Sequence, residues 1–485
     1  MKTFYAGLLA CGLIIFFGLG CAVQPGGDKN GPPDKKKKKG PSSASDRPAS
    51  EDGDFLKSGT GEKPGSRVAP TEYWPRFRGP DGLGVSADRQ VPTEWSDTKN
   101  LKWKLALPGP GSSSPIVWKD RVFVTSYSGY GDGSNGSVGD LKRHLLCVNI
   151  SDGKLIWTKT VPATVQEDGY KGYITQHGYA SNTPVTDGER VYVFFSKTGV
   201  LAFDFEGKQL WQTSVGTKSA GKRWGSASSL VLYKDLVIVN AAEESRSIQA
   251  LDKKTGKLVW KAEAGSLEYC YGTPVIVSLK DGRQELVIAV PNEIWGLNPD
   301  TGKLRWFAKT SLDGNVCPSV VTKDDLVIAF GGYQPTSSVA VRAGGKGDVT
   351  ANSIVWTSKD AAYVSSPVIK GDHLYWVNDC GIAYCVELGS GKKVNDVRLP
   401  AGDGGGNPRA IYAATLLLND HLIAVSRQAG TFVVEATPKL TQVSCNQFKG
   451  DDSDFNGAPA VSGGQLLLRS NRFLYCVGKT QKAVD

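Results

Sequence analysis

Between residues 101 and 478 the apolar positions come in short runs, rich in Val, Ile, Leu and aromatic residues, and Gly, Asp, Asn or Lys cuts each one off early. Arg121-Val122-Phe123-Val124, Arg190-Val191-Tyr192-Val193 and Leu236-Val237-Ile238-Val239 are examples. Runs of that length bounded by turn residues predict short strands rather than helices. The 58 Gly and 25 Pro among 485 residues agree, because both interrupt helices and both suit tight turns.

The runs repeat. A small or hydroxyl residue, then Pro or its replacement, then β-branched residues recur at Ser114-Pro115-Ile116-Val117, Thr183-Pro184-Val185, Ser228-Ser229-Leu230-Val231, Thr273-Pro274-Val275, Pro318-Ser319-Val320-Val321, Ser366-Pro367-Val368, Ala414-Thr415-Leu416 and Ala458-Pro459-Ala460. The Pro-equivalent positions are 69, 45, 45, 45, 48, 48 and 44 residues apart. The one long interval holds two polar, Gly-bearing stretches, 126–143 and 162–180, read as surface loop insertions. A unit contains four runs, and the first five units close on a Trp, as in Ala250-Leu251-Asp252-Lys253-Lys254-Thr255-Gly256-Lys257-Leu258-Val259-Trp260. There Thr-Gly predicts the turn between the third and fourth strands, Asp252 bonds its backbone, and the indole packs between neighbouring sheets. Trp103, Trp157, Trp211, Trp260, Trp306 and Trp356 occupy this place, with Asp252 and Gly256 shaping the turn.

Four strands per unit, eight times over, predict an all-β fold: an eight-bladed β-propeller of four-stranded antiparallel blades. Only 26 residues follow Pro459, enough for three strands, while Leu101 to Leu107 is a spare strand carrying a Trp. That N-terminal strand is expected to complete the last blade and close the ring.

Ahead of the propeller, residues 1–23 read as a signal peptide, lipoprotein signal or membrane anchor, since Phe4 to Val23 is an unbroken apolar run behind Lys2. Three fates stay open: lipidation at Cys21, simple cleavage, or a retained helix. Each exports the chain, to the periplasm or facing it from a membrane. Residues 24–70, rich in Gly, Pro, Ser and Lys, read as a disordered tether; 71–100 as an extension packing on the propeller; 101–478 as the propeller; 479–485 as a tail. The formal charge of +9 falls to +5 once residues 1–70 are set aside, without basic clustering on the folded part, so no nucleic-acid partner is expected. Seven cysteines remain after Cys11 and Cys21, with no zinc-type pair; Cys380 and Cys385 could bridge one hairpin, and buried packing is expected for the rest.

The pattern AxDxxTGxxxW, met by Ala250, Asp252, Thr255, Gly256 and Trp260, resembles the tryptophan-docking motif of quinoprotein (PQQ-repeat) propellers. Tyr73-Trp74-Pro75-Arg76-Phe77-Arg78-Gly79-Pro80 is similar to a WPxFRGP opening of planctomycete-type envelope proteins. In export, anchor and blade number the chain also resembles BamB-like propellers of outer-membrane assembly. The resemblance implies a monomeric, non-catalytic scaffold that binds an envelope protein, peptide or glycan, with its N-terminus at the membrane. The alternative is a PQQ-dependent dehydrogenase, or another enzyme with its site at the propeller mouth. Against PQQ with Ca²⁺, the adjacent cysteines of those dehydrogenases are missing here, so neither cofactor nor metal is expected.

Residues just ahead of each innermost strand should gather at one mouth of the channel. That offset selects Tyr179, Asn182, Arg223, Trp224, Glu268, Tyr269, Tyr271, Asn315, Tyr363, Asn407, Arg409, Tyr412, Asp454 and Asn456, an aromatic and Arg-bearing set suited to recognition. No catalytic residue is expected: the four His, at 144, 177, 373 and 421, lack metal-ligand spacing, there is no GxSxG elbow, and each His reads as a surface residue.

Overall fold

The repeat units fold as their spacing requires, each into an antiparallel sheet of four strands, and three of the eight sheets gain a fifth strand. The computed structural model describes residues 46–51, 73–333, 335–400 and 410–479. Blade one comprises Ile116–Trp118, Arg121–Ser128, Lys142–Asn149 and Leu155–Pro162; blade four comprises Val275–Ser278, Gln284–Val290, Glu293–Leu297 and Leu304–Lys309. Blade eight takes Ala460–Ser462, Gln465–Arg469 and Phe473–Val477 from the end of the propeller and Leu101–Ala106 from its start, paired antiparallel with Phe473–Val477. The ring is therefore closed as the sequence predicts, with a front strand completing the last blade.

In every blade the register slips by one residue where the outer strand meets its neighbour, as at Ala250/Leu251, Ala202/Phe203 and Cys147/Val148. The residue just before the slip faces the docking Trp: Ala250 faces Trp260, Cys147 faces Trp157 and Cys476 faces Trp103. Only a small side chain leaves room for the indole there. This gives Cys147 and Cys476 a packing role, and Cys385 takes the same place in blade six opposite Asn395. None of the cysteines at 147, 270, 317, 380, 385, 445 and 476 forms a disulfide. The bridge considered for Cys380 and Cys385 is thus not formed: Cys380 lies in the turn before Ile382–Glu387, and Cys385 within that strand pairs with Tyr375.

Docking runs from blade to blade through the indole N–H. Trp103 donates to the Ile150 carbonyl at 2.7 Å, Trp157 to Phe205 at 2.9 Å, Trp211 to Lys253 at 3.0 Å, Trp260 to Pro299 at 3.0 Å and Trp356 to Leu388 at 2.8 Å. The ring lies on the turn glycine of the next blade. At Gly256, φ is +69°, and a Cβ would sit 2.6 Å from the Trp211 ring, so the position requires glycine twice over. Asp252 holds that turn as expected, accepting from the N–H of Lys254 at 3.1 Å and from the N–H and hydroxyl of Thr255 at 2.8 and 2.7 Å.

Trp306 departs from the pattern. Gly296 faces it, and the indole turns into its own blade, donating to Glu285 Oε2 at 2.6 Å. Both Trp306 and Glu285 are fully buried. Blade five lacks the short Thr-Gly turn that would receive this ring; its longer connection sends Gly347–Asp348 back to pair in parallel with Trp306 and Phe307 of blade four.

A hydroxyl belt ties the inner strands together. The backbone N–H groups of Ser114, Thr183, Ser229, Thr273 and Ser319 donate to the side-chain oxygens of Thr183, Ser229, Thr273, Ser319 and Ser366 in turn, at 2.9–3.1 Å. Here lies the reason for the recurrent hydroxyl residue at or before Pro: it supplies an acceptor to the preceding blade. At the closing seam the fully buried Arg469 takes over, donating to the Thr125 carbonyl at 2.7 Å and to Ser113 Oγ at 3.1 Å.

The extension crosses the end of the channel. Tyr73–Trp74 pairs with the inner strand of blade one, and Val85–Ser86 pairs in parallel with Leu417–Leu418 of blade seven. Between them the buried Arg78 donates to the carbonyls of Gly82 at 3.2 Å, Leu83 at 2.7 Å, Ser366 at 3.3 Å and also Pro367. Burial lowers its pKa to about 10. The WPxFRGP opening is therefore a plug, with Phe77 set at the channel floor. Within the stretch expected to be a disordered tether, residues 46–51 are docked on blade four, with Ser50 bridged to Leu304. The Phe4–Val23 run and Cys21 lie outside the described residues, and among those described no helix is long and apolar enough to cross a membrane.

Candidate functional site

The channel mouth is a cavity of about 170 Å³ with Phe77 beneath it and the hydroxyls of Ser229, Thr273, Ser319 and Ser366 around its wall. Its rim is aromatic: Tyr173, Trp224, Tyr271, Tyr363 and Tyr412 all contribute. Tyr173 and Trp224 lie 4.3 Å apart between ring centres, Trp224 and Tyr271 6.1 Å, and Tyr173 and Tyr363 6.3 Å. Among the described residues, no Asp or Glu lines the cavity.

The stretch 162–180, expected to be a surface loop, builds one wall. It packs on the 126–143 stretch through Tyr127, Leu141, Ile174, Tyr179 and Ala180. A one-turn helix, Ile174–His177, then carries Gln176 and His177 to the cavity. His177 Nε2 lies 2.9 Å from the Trp224 carbonyl, so it is the protonated nitrogen, while Nδ1 lies 2.6 Å from Ser181 Oγ. Burial lowers its pKa, favouring the neutral ring. His144 is also buried, between Ser128 and Thr160. Neither of these two is the surface residue its sequence context suggested; spacing cannot reveal that a loop folds back onto the mouth.

Lys222 crosses the rim. Its ammonium donates to Asn315 Oδ1 at 2.8 Å and stands 4.5 Å from the Trp224 ring and 4.9 Å from that of Tyr269. Asn315 in turn donates to the Tyr363 hydroxyl at 3.0 Å. Across the mouth, Arg427 pairs with Asp454, donates to Gln176 Oε1 at 2.9 Å and lies 5.0 Å from the Tyr412 ring. The rim is thus fixed by cations set against aromatic faces, and the wall behind it holds charge in pairs: Arg143 with Glu167 at 2.7 Å and Lys197 with Asp168 at 3.1 Å.

Of the residues selected from the sequence, Trp224, Tyr271, Tyr363, Tyr412 and Asn456 line the cavity. Asn315 supports Tyr363, and Asp454 holds Arg427. Glu268 binds the Gly221 N–H at 2.9 Å and Arg246 at 3.0 Å, with Tyr269 beside it under Lys222. Tyr179 and Asn182 are buried supports instead: Tyr179 packs edge-on against Tyr127, and Asn182 donates to the Ser228 carbonyl at 2.6 Å. Arg223 is exposed on a turn with φ +53°. Asn407 and Arg409 lie outside the described residues. Tyr173, Gln176, His177 and Phe77 line the cavity without having been selected, since three come from an insertion and one from outside the repeat, and Cys317, within the repeat, was passed over for its neighbour Asn315.

With this geometry, the comparisons with known proteins become informative. A family model described as outer membrane protein assembly factor BamB matches residues 128–266 and 223–396, overlapping spans that take in more than half of the chain. The chain belongs to the BamB family of PQQ-repeat propellers. BamB from Moranella endobia is 25% identical over 244 residues, 48% of this chain and 53% of that protein. Tetrathionate hydrolase from Acidithiobacillus ferrooxidans is 23% identical over 265 residues, 46% of this chain and 50% of that one. The chain spans about half the length of these curated relatives. Among solved structures, BamB from Moraxella catarrhalis superposes with a TM-score of 0.56 at 13% identity, covering 79% of this chain and 99% of that one. The computationally designed Ika8 protein gives 0.50 at 12% identity, covering 77% of this chain and 98% of that one. Both likenesses concern the fold alone.

The described residues of this member of the BamB family do not fit a PQQ–Ca²⁺ site. Hard oxygen ligands must converge on Ca²⁺, yet the described lining carries no carboxylate, and the described residues contain no cluster of three or more His, Cys, Asp or Glu able to hold a metal.

Proposed function

We propose that this BamB-family chain is a non-catalytic, protein-binding propeller that works in outer-membrane protein assembly from the periplasmic face, held there by its N-terminus. The observation that carries the reading is the mouth itself, an aromatic cavity floored by Phe77, with Lys222 and Arg427 fixed at its rim. Buried aromatic anchors with a charged rim are the composition of an interaction hot spot. A cavity of about 170 Å³ is small for a free cofactor and suits an apolar side chain presented by a partner.

A hydrolase reading draws on the tetrathionate hydrolase match but finds little chemistry to work with. The cavity thiol, Cys317, is pushed up to about 12 by burial, and both His177 nitrogens are already engaged. A photoreactive residue in place of Tyr412 tests the binding reading in intact cells. Crosslinks to a component or client of β-barrel assembly are expected, and Trp224→Ala should weaken them by roughly tenfold or more. Crosslinks no stronger than those from the outer-strand position Leu258, exposed on the far edge of blade three, would overturn it.

A further inference from the structure

Residues 46–51 lie along the outer edge of blade four and are held by backbone and side chain together. The Leu304 N–H donates to the Ala49 carbonyl at 2.9 Å, and the Glu51 N–H to the Leu304 carbonyl at 3.1 Å, the two hydrogen bonds of a single parallel bridge at Ser50. Arg47 donates through Nε to the Glu293 carboxylate at 2.9 and 3.2 Å, with its guanidinium carbon 3.6 Å from the centre of the Phe307 ring. Four residues on, the Glu51 carboxylate accepts from Arg305 Nε at 3.0 Å and from Asn298 Nδ2 at 2.5 Å. The Ser266 hydroxyl adds a bond to the Asp46 carbonyl at 2.8 Å, and Pro48 is buried between the two charged ends.

The receiving groups belong to the blade and carry the complementary order of charge: the buried Glu293 stands where the strand brings its Arg, and Arg305 where it brings its Glu. Gly347–Asp348 covers the neighbouring stretch of the same edge at Trp306 and Phe307, so the opening at Leu304 has a fixed end and a fixed register. An edge strand left bare is a template for pairing with any chain. Here the template is selective, because backbone pairing is combined with two charge pockets of opposite sign.

We propose that the outer edge of blade four is a peptide-binding site for a short segment carrying an Arg and, four residues on, a Glu, and that residues 46–51 are its resident, exchangeable occupant. The arm joins the propeller through the 21 residues 52–72. At an effective concentration of about 1 mM in cis, a site with a Kd of about 0.1 mM is about nine-tenths filled and still open to a competing segment.

The test uses a fluorescent synthetic peptide of residues 44–53 and the full chain. A chain carrying Arg47→Ala and Glu51→Ala has a disabled arm and an intact site, and should bind the peptide about tenfold more tightly than the wild type, whose site is filled. A peptide with the Arg and Glu exchanged should bind at least tenfold more weakly. Equal binding by the two chains, or by the two peptides, overturns the proposal. Amide exchange on the wild-type chain is an independent measurement: Glu51 and Leu304 should both be protected, and excess unlabelled peptide should release Glu51 while Leu304 stays protected. Exchange at Glu51 at the rate of a free chain, before any peptide is added, refutes the docking itself.

Discussion

The contact between turn glycine and docking indole can be weighed by one methyl group. Gly256→Ala places a Cβ 2.6 Å from the Trp211 ring and 2.8 Å from Thr213 Oγ1, at φ +69°. Left-handed backbone costs an alanine about 1–2 kcal/mol, and forcing a methyl into a packed interface adds about 1–3 kcal/mol. The expected loss is therefore about 2–5 kcal/mol. Gly282 separates the two terms, since it lies in a turn of blade four with φ +85° and no atom within 4 Å of a Cβ. Gly282→Ala should lose only the backbone term, about 1–2 kcal/mol. The comparison is read from urea midpoints, with the slope checked to be constant. In a Trp211→Ala background, Gly256→Ala should cost distinctly less than in the wild type, keeping the backbone term and the contact with Thr213 Oγ1. Equal losses for the two glycines in the wild type, or an undiminished loss at Gly256 once the indole is gone, would falsify the account of blade docking.

Two further outcomes follow from buried charge. Glu244 is buried, and burial raises its carboxyl well above the ordinary value. A carboxyl so raised lends stability that is complete below pH 4.5 and is lost as pH rises through its folded pKa, at about 1.4 kcal/mol per pH unit across that window. Glu244→Gln should therefore raise the melting temperature at pH 8 and leave it nearly unchanged at pH 4.5; equal shifts at both pH values would count against it. Arg78→Met strips four backbone carbonyls of their shared donor and should cost about 3–5 kcal/mol. It should also speed amide exchange along residues 73–86, and a melting curve like the wild type would show that the plug is not held by this guanidinium.

Blade number, strand order and ring closure could be read from the chain because they depend on periodicity, and periodicity survives in sequence. The docking motif was equally plain at Ala250 to Trp260, where each residue does a task that few others can. Less visible was the rule behind scattered residues. Cys147, Cys385 and Cys476 looked like strays until the register slip placed each one where Ala250 stands in blade three. Gly296 was a signal that could have been read: a glycine where the other blades with a docking Trp carry Ala or Cys makes room for the Trp306 ring to turn inward. The mouth was half legible. An offset rule finds Trp224, Tyr271, Tyr363 and Tyr412, which begin their blades. It cannot find Tyr173, His177 or Phe77, because an insertion and an extension obey no offset.

That division bears on where specificity comes from. Eight like blades offer eight like surfaces, and a partner that must choose one orientation needs the likeness broken. The hydroxyl belt and the indole contacts are spent on closing the ring, so they recur and cannot discriminate. Each break comes from a segment placed once. Residues 162–180 raise a wall on one side of the mouth, residues 73–86 floor the channel from blade one to blade seven, and residues 46–51 occupy blade four alone. The last break falls in the blade whose own Trp has turned inward and whose neighbour has no Thr-Gly turn to receive it. Turning Trp306 inward removes a docking contact but buries Glu285 with an indole donor, and the edge it leaves is covered by Gly347–Asp348 and by the arm. Restoring the common pattern with Gly296→Ala would push a methyl to 2.1 Å from the Trp306 ring nitrogen and drive the indole outward. The arm should then lose its place at Leu304, because the strand that carries Trp306 is the one it pairs with.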